Sequence, residues 1–331
     1  MIIGLTYDLR SEYLAMGFGE EETAEFDRDD TIDALEATLN QLGHECIRIG
    51  NARQLVKLLA QGHRWDMVFN ICEGLHGIGR EAQVPALLDM YDIPYTFSDP
   101  LVMSLTLHKA LTKRVVRDAG LCTPDFRVVT AADDASLDIF PPPYFVKPVA
   151  EGSSKGISSK SVVNRKEDLA RICKEMICEY RQPVIVERCL TGREFTVGII
   201  GTGSKATVLG TMEILLLEDA EKSVYSYHNK VKYEKLVRYR LATPEGDRSV
   251  QEAEALALNA WKVLECRDGG RVDVRCDDAG QPGFLEVNPL AGLNPKHSDL
   301  LILCSLLNIT YVSLIERILS SAATRIKTGK D

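Results

Sequence analysis

Several common signatures are missing from this chain, and each absence removes a class of function. No apolar run approaches the ~20 residues of a membrane-spanning helix, and the opening MIIGLTYD has neither the basic region nor the apolar length of a signal peptide. The expectation is a soluble protein that stays in the cytoplasm, with no membrane partner. Positive charge is in deficit: 39 Lys and Arg face 48 Asp and Glu, a net charge of -9, so no nucleic-acid partner is expected and any phosphate must be held locally. The nine cysteines are odd in number, scattered and never spaced C-x-x-C, which excludes a zinc knuckle and a disulfide framework and fits reduced thiols. The G-x-x-x-x-G-K-[ST] nucleotide loop is also absent.

What is present is apolar material for more than one core. With 331 residues, 45% of them hydrophobic, the chain is long for a single domain. Through about residue 97, strand and helix alternate: MIIGLTYD, IDALEATLNQLG, ECIRIG, ARQLVKLLAQG, DMVFNIC, EAQVPALLDMYD and IPYTF. That alternation predicts a mainly parallel, doubly wound sheet whose ligands meet the loops after the strand carboxyl ends. Next come a helix LTLHKALTKRVVRDAG, strands in FPPPYFVKPV and SKSVV, a helix from Asn164 and the strand PVIVERCL. REFTVGIIGTGSKATVLGTMEIL reads as an antiparallel pair; a helix VQEAEALALNAWKVL, a hairpin and a helical tail from Asp299 close the chain. The fold class is α/β, with α+β character in the C-terminal part, and the segments divide at 1–98, 99–187 and 188–331.

The hairpin GRVDVRCDDAGQPGFLEVNPL, residues 270–290, carries the sharpest signal. Alternation sends Val272, Val274, Leu285 and Val287 to one face and Arg271, Asp273, Glu286 and Asn288 to the other. A tip at Ala279-Gly280 sets Asp273 opposite Glu286 and Arg271 opposite Asn288, because a slip of one residue would bury the acids among valines. Facing carboxylates cost roughly 0.2 to 1 kcal/mol even on a wet surface unless a cation sits between them. Two readings stand: a solvated face softened by Arg271 and Arg275, or a divalent-metal site.

Three other stretches bear on chemistry. YFVKPVAEGSSKGIS ends an apolar strand on Lys147 and runs into a Gly/Ser loop whose N–H groups, with Lys155, suit a phosphate; a plain flexible turn fits equally. GLHGIGREA holds Gly77-x-Gly79-x-x-Ala82 after a strand, with Asp99 beyond it, the spacing of a dinucleotide turn. This supports an NAD-dependent oxidoreductase as the competing class, although the loop from Cys72 to Gly77 is long for such a turn. HSD at 297–299 forms no triad, since adjacent residues do not converge on one nucleophile. His76, His108 and His228 are single and dispersed, as packing histidines are.

Taken in order, LHKALTKRVVRDAGLCTPDF, FVKPVAEGSSKGIS, VIVERCLTGREFTVGIIG, YSYHNK, GGRVDVRCDDAGQPGFLEVNPLAGL and HSDL resemble the ATP-grasp ligases, most closely the D-alanine-D-alanine ligase family, over about residues 70 to 320. The resemblance implies a three-lobed ATP-grasp fold with an N-terminal doubly wound domain. It implies an enzyme of peptidoglycan biosynthesis that joins two amino acids through an acyl phosphate made from ATP. D-alanine with D-alanine is the default pair, and coupling an amino acid to a different carboxylate is the alternative. Small amino acids are then the partners, and a homodimer is implied by the family alone.

By the same resemblance, Lys109 and Lys147 would reach the phosphates under a cover formed by Glu151, Ser153 and Ser154. Glu187, Cys189 and Leu190, with Leu285, would form the adenine site, Glu194 would meet the ribose, and Lys230 would close on the γ-phosphate. Asp273, Glu286 and Asn288 match the magnesium ligands, for a pair of Mg2+ ions that Mn2+ can replace. Arg271 and backbone N–H groups around Gly292 would steady the oxyanion, while Ser153 and Tyr227 would orient substrate and Ser298 would hold the second substrate's carboxylate. The family's short Gly-Gly-Thr-Ser segment, with its ammonium-binding glutamate, is replaced by DLRSEYLAMGFGEEETAEFDRDD, where Glu25, Asp27 and Asp29 are the candidates. The loop before Ser298 is also altered, to GLNPKHSD with Lys296. Loops expected to touch substrate differ while those expected to touch nucleotide persist, so the amino-acid specificity is the open point.

Overall fold

A fully apolar strand needs cover on both faces, and β3 (Met67–Ile71) is buried at every residue. In the computed structural model, which describes residues 1–131, 140–217, 220, 226, 229 and 233–326, it joins a parallel sheet of order β2-β1-β3 with β1 (Ile2–Tyr7) and β2 (Glu45–Gly50). Helices α2 (Asp29–Gln41) and α3 (Ala52–Ala60) flank the sheet, and the first loop carries a short helix of its own, α1 (Arg10–Ala15). IPYTF does not form a full strand; it contributes one bridge, Val68 to Tyr95, because Phe97 turns to φ 71° and ends the extended run.

After α4 (Gln83–Met90), the single helix expected from LTLHKALTKRVVRDAG is two, α5 (Pro100–Leu107) and α6 (Lys109–Asp118). His108 leaves the helical region at φ -87°, ψ 86°, and its ring accepts from Leu111 N at 3.2 Å to cap the second helix. The break points Lys109 out of the helix run and toward the next sheet. That sheet is antiparallel, in the order β4-β7-β5-β6, and comprises β4 (Phe126–Val129), β5 (Tyr144–Pro148), β6 (Val162–Val163) and β7 (Val184–Arg188). SKSVV shrinks to a 3-10 turn plus the two residues of β6, and α7 (Lys166–Tyr180) covers one face.

The five-stranded sheet runs β10-β9-β8-β11-β12, from β8 (Glu194–Ile200), β9 (Thr207–Leu216), β10 (Val237–Ala242), β11 (Gly269–Cys276) and β12 (Pro282–Asn288). Helix Arg248–Val263 lies on it and buries Trp261 completely. The hairpin register is as expected where it matters, with Arg271 opposite Asn288 and Asp273 opposite Glu286, but it shifts beyond Asp273 so that Val274 faces Phe284. The bulge gives the core position to the larger Phe284, which is fully buried, and turns Leu285 away from the valines. Around the bulge, Phe284 N donates to Cys122 O at 2.8 Å and Phe284 O accepts from Thr123 Oγ1 at 2.8 Å and Lys113 Nζ at 3.0 Å.

The last helices, Asp299–Leu306 and Tyr311–Ala323, return to the first sheet: Leu300, Ile315 and Ile318 share one core with Ile3, Leu5 and Phe69. Among the described residues no single helix is long and apolar enough to cross a membrane, and this pair, bent by 114°, is spent on that core. All nine cysteines are free thiols. Asp268 latches the distant parts together, accepting from Phe97 N at 2.7 Å and from Arg325 Nη1 and Nη2 at 2.6 Å each, with no exposure of its own. Breaking a buried pair strands the remaining charge, so Asp268→Asn is expected to lower the unfolding free energy by about 3 kcal/mol. A fall in the urea midpoint at unchanged slope is the readout; a wild-type midpoint would refute the latch.

Candidate active site

The bulged hairpin places Glu286 and Arg271 at the seam of two cavities, one of about 750 Å³ and one of about 80 Å³, both of which they line. Most of the described residues singled out from the sequence line one or the other, Asp29 being an exception. The smaller cavity is walled by Lys147, Ser154 and Glu187, by Cys189 and Leu190, and by Glu194, Asp273 and Leu285. The larger is walled by Lys109, Glu151 and Ser153, by Asn288, Gly292 and Ser298, and by Glu25 and Asp27. Lys230 and Tyr227 lie outside the described residues.

Strand alternation builds the seam: Val272, Val274 and Cys276 face the core while Arg271, Asp273 and Arg275 face the cavities. Asp273 accepts from Thr196 Oγ1 at 2.8 Å and Asn288 Nδ2 at 3.2 Å, and pairs closely with Arg271 Nη1. Burial pushes its carboxyl above the ordinary range against the pull of Arg271, and the charges of Glu286 and Asp299 add to the rise. Glu286 lies 3.5 Å from Lys109 Nζ and 4.0 Å from Lys147 Nζ. Arg271 reaches Asp299 with its other arm, at 3.7 Å. Two acids across a strand pair, with an amide oxygen beside them, form a hard donor set suited to a divalent cation that arrives with its own phosphate ligands.

In the smaller cavity Glu187 is fully enclosed and held by Lys113 Nζ at 2.9 Å and Lys147 Nζ at 3.3 Å. Burial would raise it, but the two lysines outweigh burial and keep it below the usual carboxylate range. Lys113 pays the reverse cost, pushed by burial down to about 8 despite Glu187. Glu194 pairs with Arg275 at 3.2 Å, and burial still lifts it above its ordinary value. Ser153 and Ser154 sit at φ 47° and 58°, consecutive left-handed positions that are uncommon for serine and mark a strained loop beside the seam.

Glu25 is committed elsewhere than to a substrate ammonium. Its carboxylate accepts from Arg80 Nη2 at 2.9 Å and from Gly152 N at 2.6 Å, and lies 3.1 Å from Lys155 Nζ, so it ties the first loop to the Gly/Ser loop. A Cβ on Gly152 would come within 2.2 Å of that carboxylate, which is why this position is glycine. Lys155 also meets Glu151 at 2.8 Å. Gly79 and Ala82 of the G-x-G-x-x-A spacing flank a 3-10 turn, Arg80–Ala82, that delivers Arg80 to Glu25; no strand-to-helix dinucleotide turn forms. Asp29 is exposed beside Ser11, while Asp27 faces the larger cavity.

Sequence reasoning missed Lys113, Arg80, Glu81, Glu73 and Asp299, all of which sit at or behind the cavity walls. Glu81 and Glu73 have no local pattern that could announce them. Burial, reinforced by Glu25, lifts Glu81 to about 7 from an ordinary 4.5. A carboxyl raised in this way favours folding at low pH and opposes it as pH climbs through about 7. Removing the charge with Glu81→Gln is therefore expected to raise the Tm of the ligand-free protein by a few degrees at pH 8, with the gap closing toward pH 5. Thermal melts across that range check it, and an equal or lower Tm at pH 8 would contradict the assignment.

The chain matches the family model described as D-ala D-ala ligase C-terminus over residues 115–320. Relatives include the D-alanine-D-alanine ligases of Bordetella petrii and Aquifex aeolicus, each 32% identical, covering 83% and 78% of this chain and 80% and 84% of the relative. An uncharacterized protein of Sinorhizobium fredii, y4sG, is 32% identical over 88% of this chain and 87% of its own. The crystal structure of D-alanine-D-alanine ligase from Bacillus anthracis aligns over 100% of both chains with a TM-score of 0.73 at 22% identity, and its complex with ATP gives 0.69 at 21%. The fold is accordingly the ATP-grasp arrangement expected from the sequence, and the dinucleotide reading is set aside. With an antiparallel seam of acids beside a Gly/Ser loop, and with relatives aligned over most of its length, this chain belongs to the D-alanine-D-alanine ligase family of ATP-grasp enzymes.

Proposed function

We propose that the protein is an ATP- and Mg2+-dependent ligase that joins the carboxylate of one amino acid to the amine of another through an acyl phosphate, with D-alanine as the reference substrate at both positions. The observation that carries this reading is Asp273 facing Glu286 where a narrow cavity meets a wide one. The narrow cavity suits the adenosine end: Leu190, Ile214 and Leu285 offer apolar walls, and Glu194 offers a hydrogen-bond acceptor for a ribose hydroxyl. Lys147 and Lys109, both close to Glu286, would take the phosphates. Asp273, Glu286 and Asn288 would hold magnesium, as a pair of ions or with Mn2+ in their place, and the metal would offset the triphosphate charge and polarise the γ-phosphoryl group.

In the larger cavity Arg271 orients the first substrate's carboxylate. Its guanidinium is held in place by Asp273 and Asp299, so it spends no freedom when substrate enters. A carboxylate oxygen bonds to the γ-phosphorus as the bridging P–O bond breaks, leaving ADP and an acyl phosphate. The second substrate's amine then attacks the acyl carbon, loses a proton, and phosphate departs. Arg271 and the backbone N–H groups near Gly292 steady the oxyanion in that step, and Ser298, at the head of helix Asp299–Leu306, receives the second carboxylate. Ser153 and Glu151, in the strained loop, exclude water above the phosphates. A cytoplasmic homodimer divided at 1–98, 99–187 and 188–331 and serving peptidoglycan synthesis completes the reading.

Phosphate release from ATP that depends on an added amino acid, with the product read by mass spectrometry, is the expected activity. ATP turnover that ignores every amino acid supplied would end the ligase reading. Asp273→Asn and Glu286→Gln should each lower turnover by about 100-fold or more, since the metal supplies several kcal/mol to phosphoryl transfer. Both variants should stay folded by circular dichroism, and wild-type rates in either would remove it from the metal set.

A further inference from the structure

The larger cavity holds more carboxyl groups than a pair of D-alanine molecules can use. Eight carboxylates line it, and five of them are matched within the protein: Glu20 to Arg10, Glu25 to Arg80 and Lys155, Glu151 to Lys155, Glu286 to Lys109 and Asp299 to Arg271. Asp27, Glu73 and Glu81 remain. Among the described residues none of the three has a lysine or arginine within ion-pair distance, and Arg80, whose charge acts on Glu73 and Glu81, is already spent on Glu25 and on Ala150 O at 3.0 Å. Glu81 is the most demanding of them: it is 8% exposed, it faces the cavity, and among the described residues its carboxylate has no hydrogen-bond partner. Its neighbour Glu73 feels the charges of Glu81, Glu25 and Asp27 together.

A carboxyl group on this wall ionises at a cost, since burial and its acidic neighbours raise both Glu81 and Glu73, and a cation entering with the ligand would offset that cost. Among the described residues no three His, Cys, Asp or Glu side chains converge closely enough to hold a metal ion by themselves. The acids are spread along a wall, which suits an organic cation long enough to reach from one to the next. One α-ammonium satisfies one of them and leaves two stranded.

We propose that the amino acid activated in this cavity carries a second cationic group, an ammonium or guanidinium on its side chain, which Glu81 and Glu73 hold while Asp27 receives the α-ammonium. The inference rests on the ligase reading and names the first substrate's class within it. Sites that bury polar groups for one ligand discriminate strongly against an analogue that leaves those groups unpaired. D-alanine is such an analogue.

The test pairs D-alanine as the amine donor with D- and L-lysine, ornithine or arginine as the activated acid, and uses norleucine as the uncharged counterpart of lysine. Amino-acid-dependent phosphate release and mass spectrometry of the dipeptide are measured on the full chain with ATP and Mg2+. The expected result is a product with the basic residue at its amino end, at a kcat/KM at least about tenfold above that for D-alanine and for norleucine. Glu81→Gln should shrink the lysine-to-norleucine ratio by about tenfold, and Glu81→Asp should restore part of it. Equal kcat/KM for lysine and norleucine in the unaltered protein, or a preference for D-alanine, overturns the inference and leaves the ligase intact. Phosphate release with none of these acids and none with D-alanine overturns the ligase reading itself.

Discussion

The site depends on two acids that cannot get away from each other. Peptide hydrogen bonds between β11 and β12 hold Asp273 opposite Glu286, and the only other face open to them is packed with Val272, Val274 and Val287. Repulsion across that pair is offset by cations from elsewhere in the fold: Arg271 on the same strand, Lys109 at the start of α6 and Lys147 at the end of β5. The electrostatics of one hairpin thus draw the four-stranded and five-stranded sheets toward a shared seam. A nucleotide with its metal would take over a balance that the protein has already struck with its own side chains.

Charge is handled in opposite ways on the two sides of that seam. On the narrow side every acid has its cation: Glu187 has two lysines and Glu194 has Arg275. On the wide side the first loop and the turn after β3 bring acids in excess of cations, and burial raises Asp27 to about 8 and Glu81 to about 7. Asp27 comes from the first loop, between Asp8 and Asp30, while Glu73 and Glu81 come from the turn after β3.

Much of this was legible in the sequence because the decisive elements are short-range patterns. Alternation fixed the hairpin faces, and the apolar strands before residue 72 implied the parallel sheet. The failures have physical reasons. Lys113 reads as a solvent residue on an amphipathic helix, yet the bulge at Phe284 leaves a carbonyl that draws it inward to Glu187. The break at His108 was hidden because both halves of LTLHKALTKRVVRDAG are good helix formers, and only the turn toward β5 requires the interruption. Leu285 was placed with the core because alternation cannot foresee an inserted residue. Glu81 and Glu73 became visible only once tertiary packing had brought the loops together.

The closing helices have a further consequence for how the chain is made. Ile3, Leu5 and Phe69 belong to a core completed by Leu300, Ile315, Ile318 and Ala322, and Arg325 then fastens Asp268 beneath Tyr95 and Phe97. A ribosome releases the first of these partners long before the last. The opening βαβ units therefore wait, with an apolar side uncovered, until the closing helices have emerged. The nascent protein is most exposed to aggregation and chaperone capture during that interval, and the interval closes only when those helices pack on the first sheet.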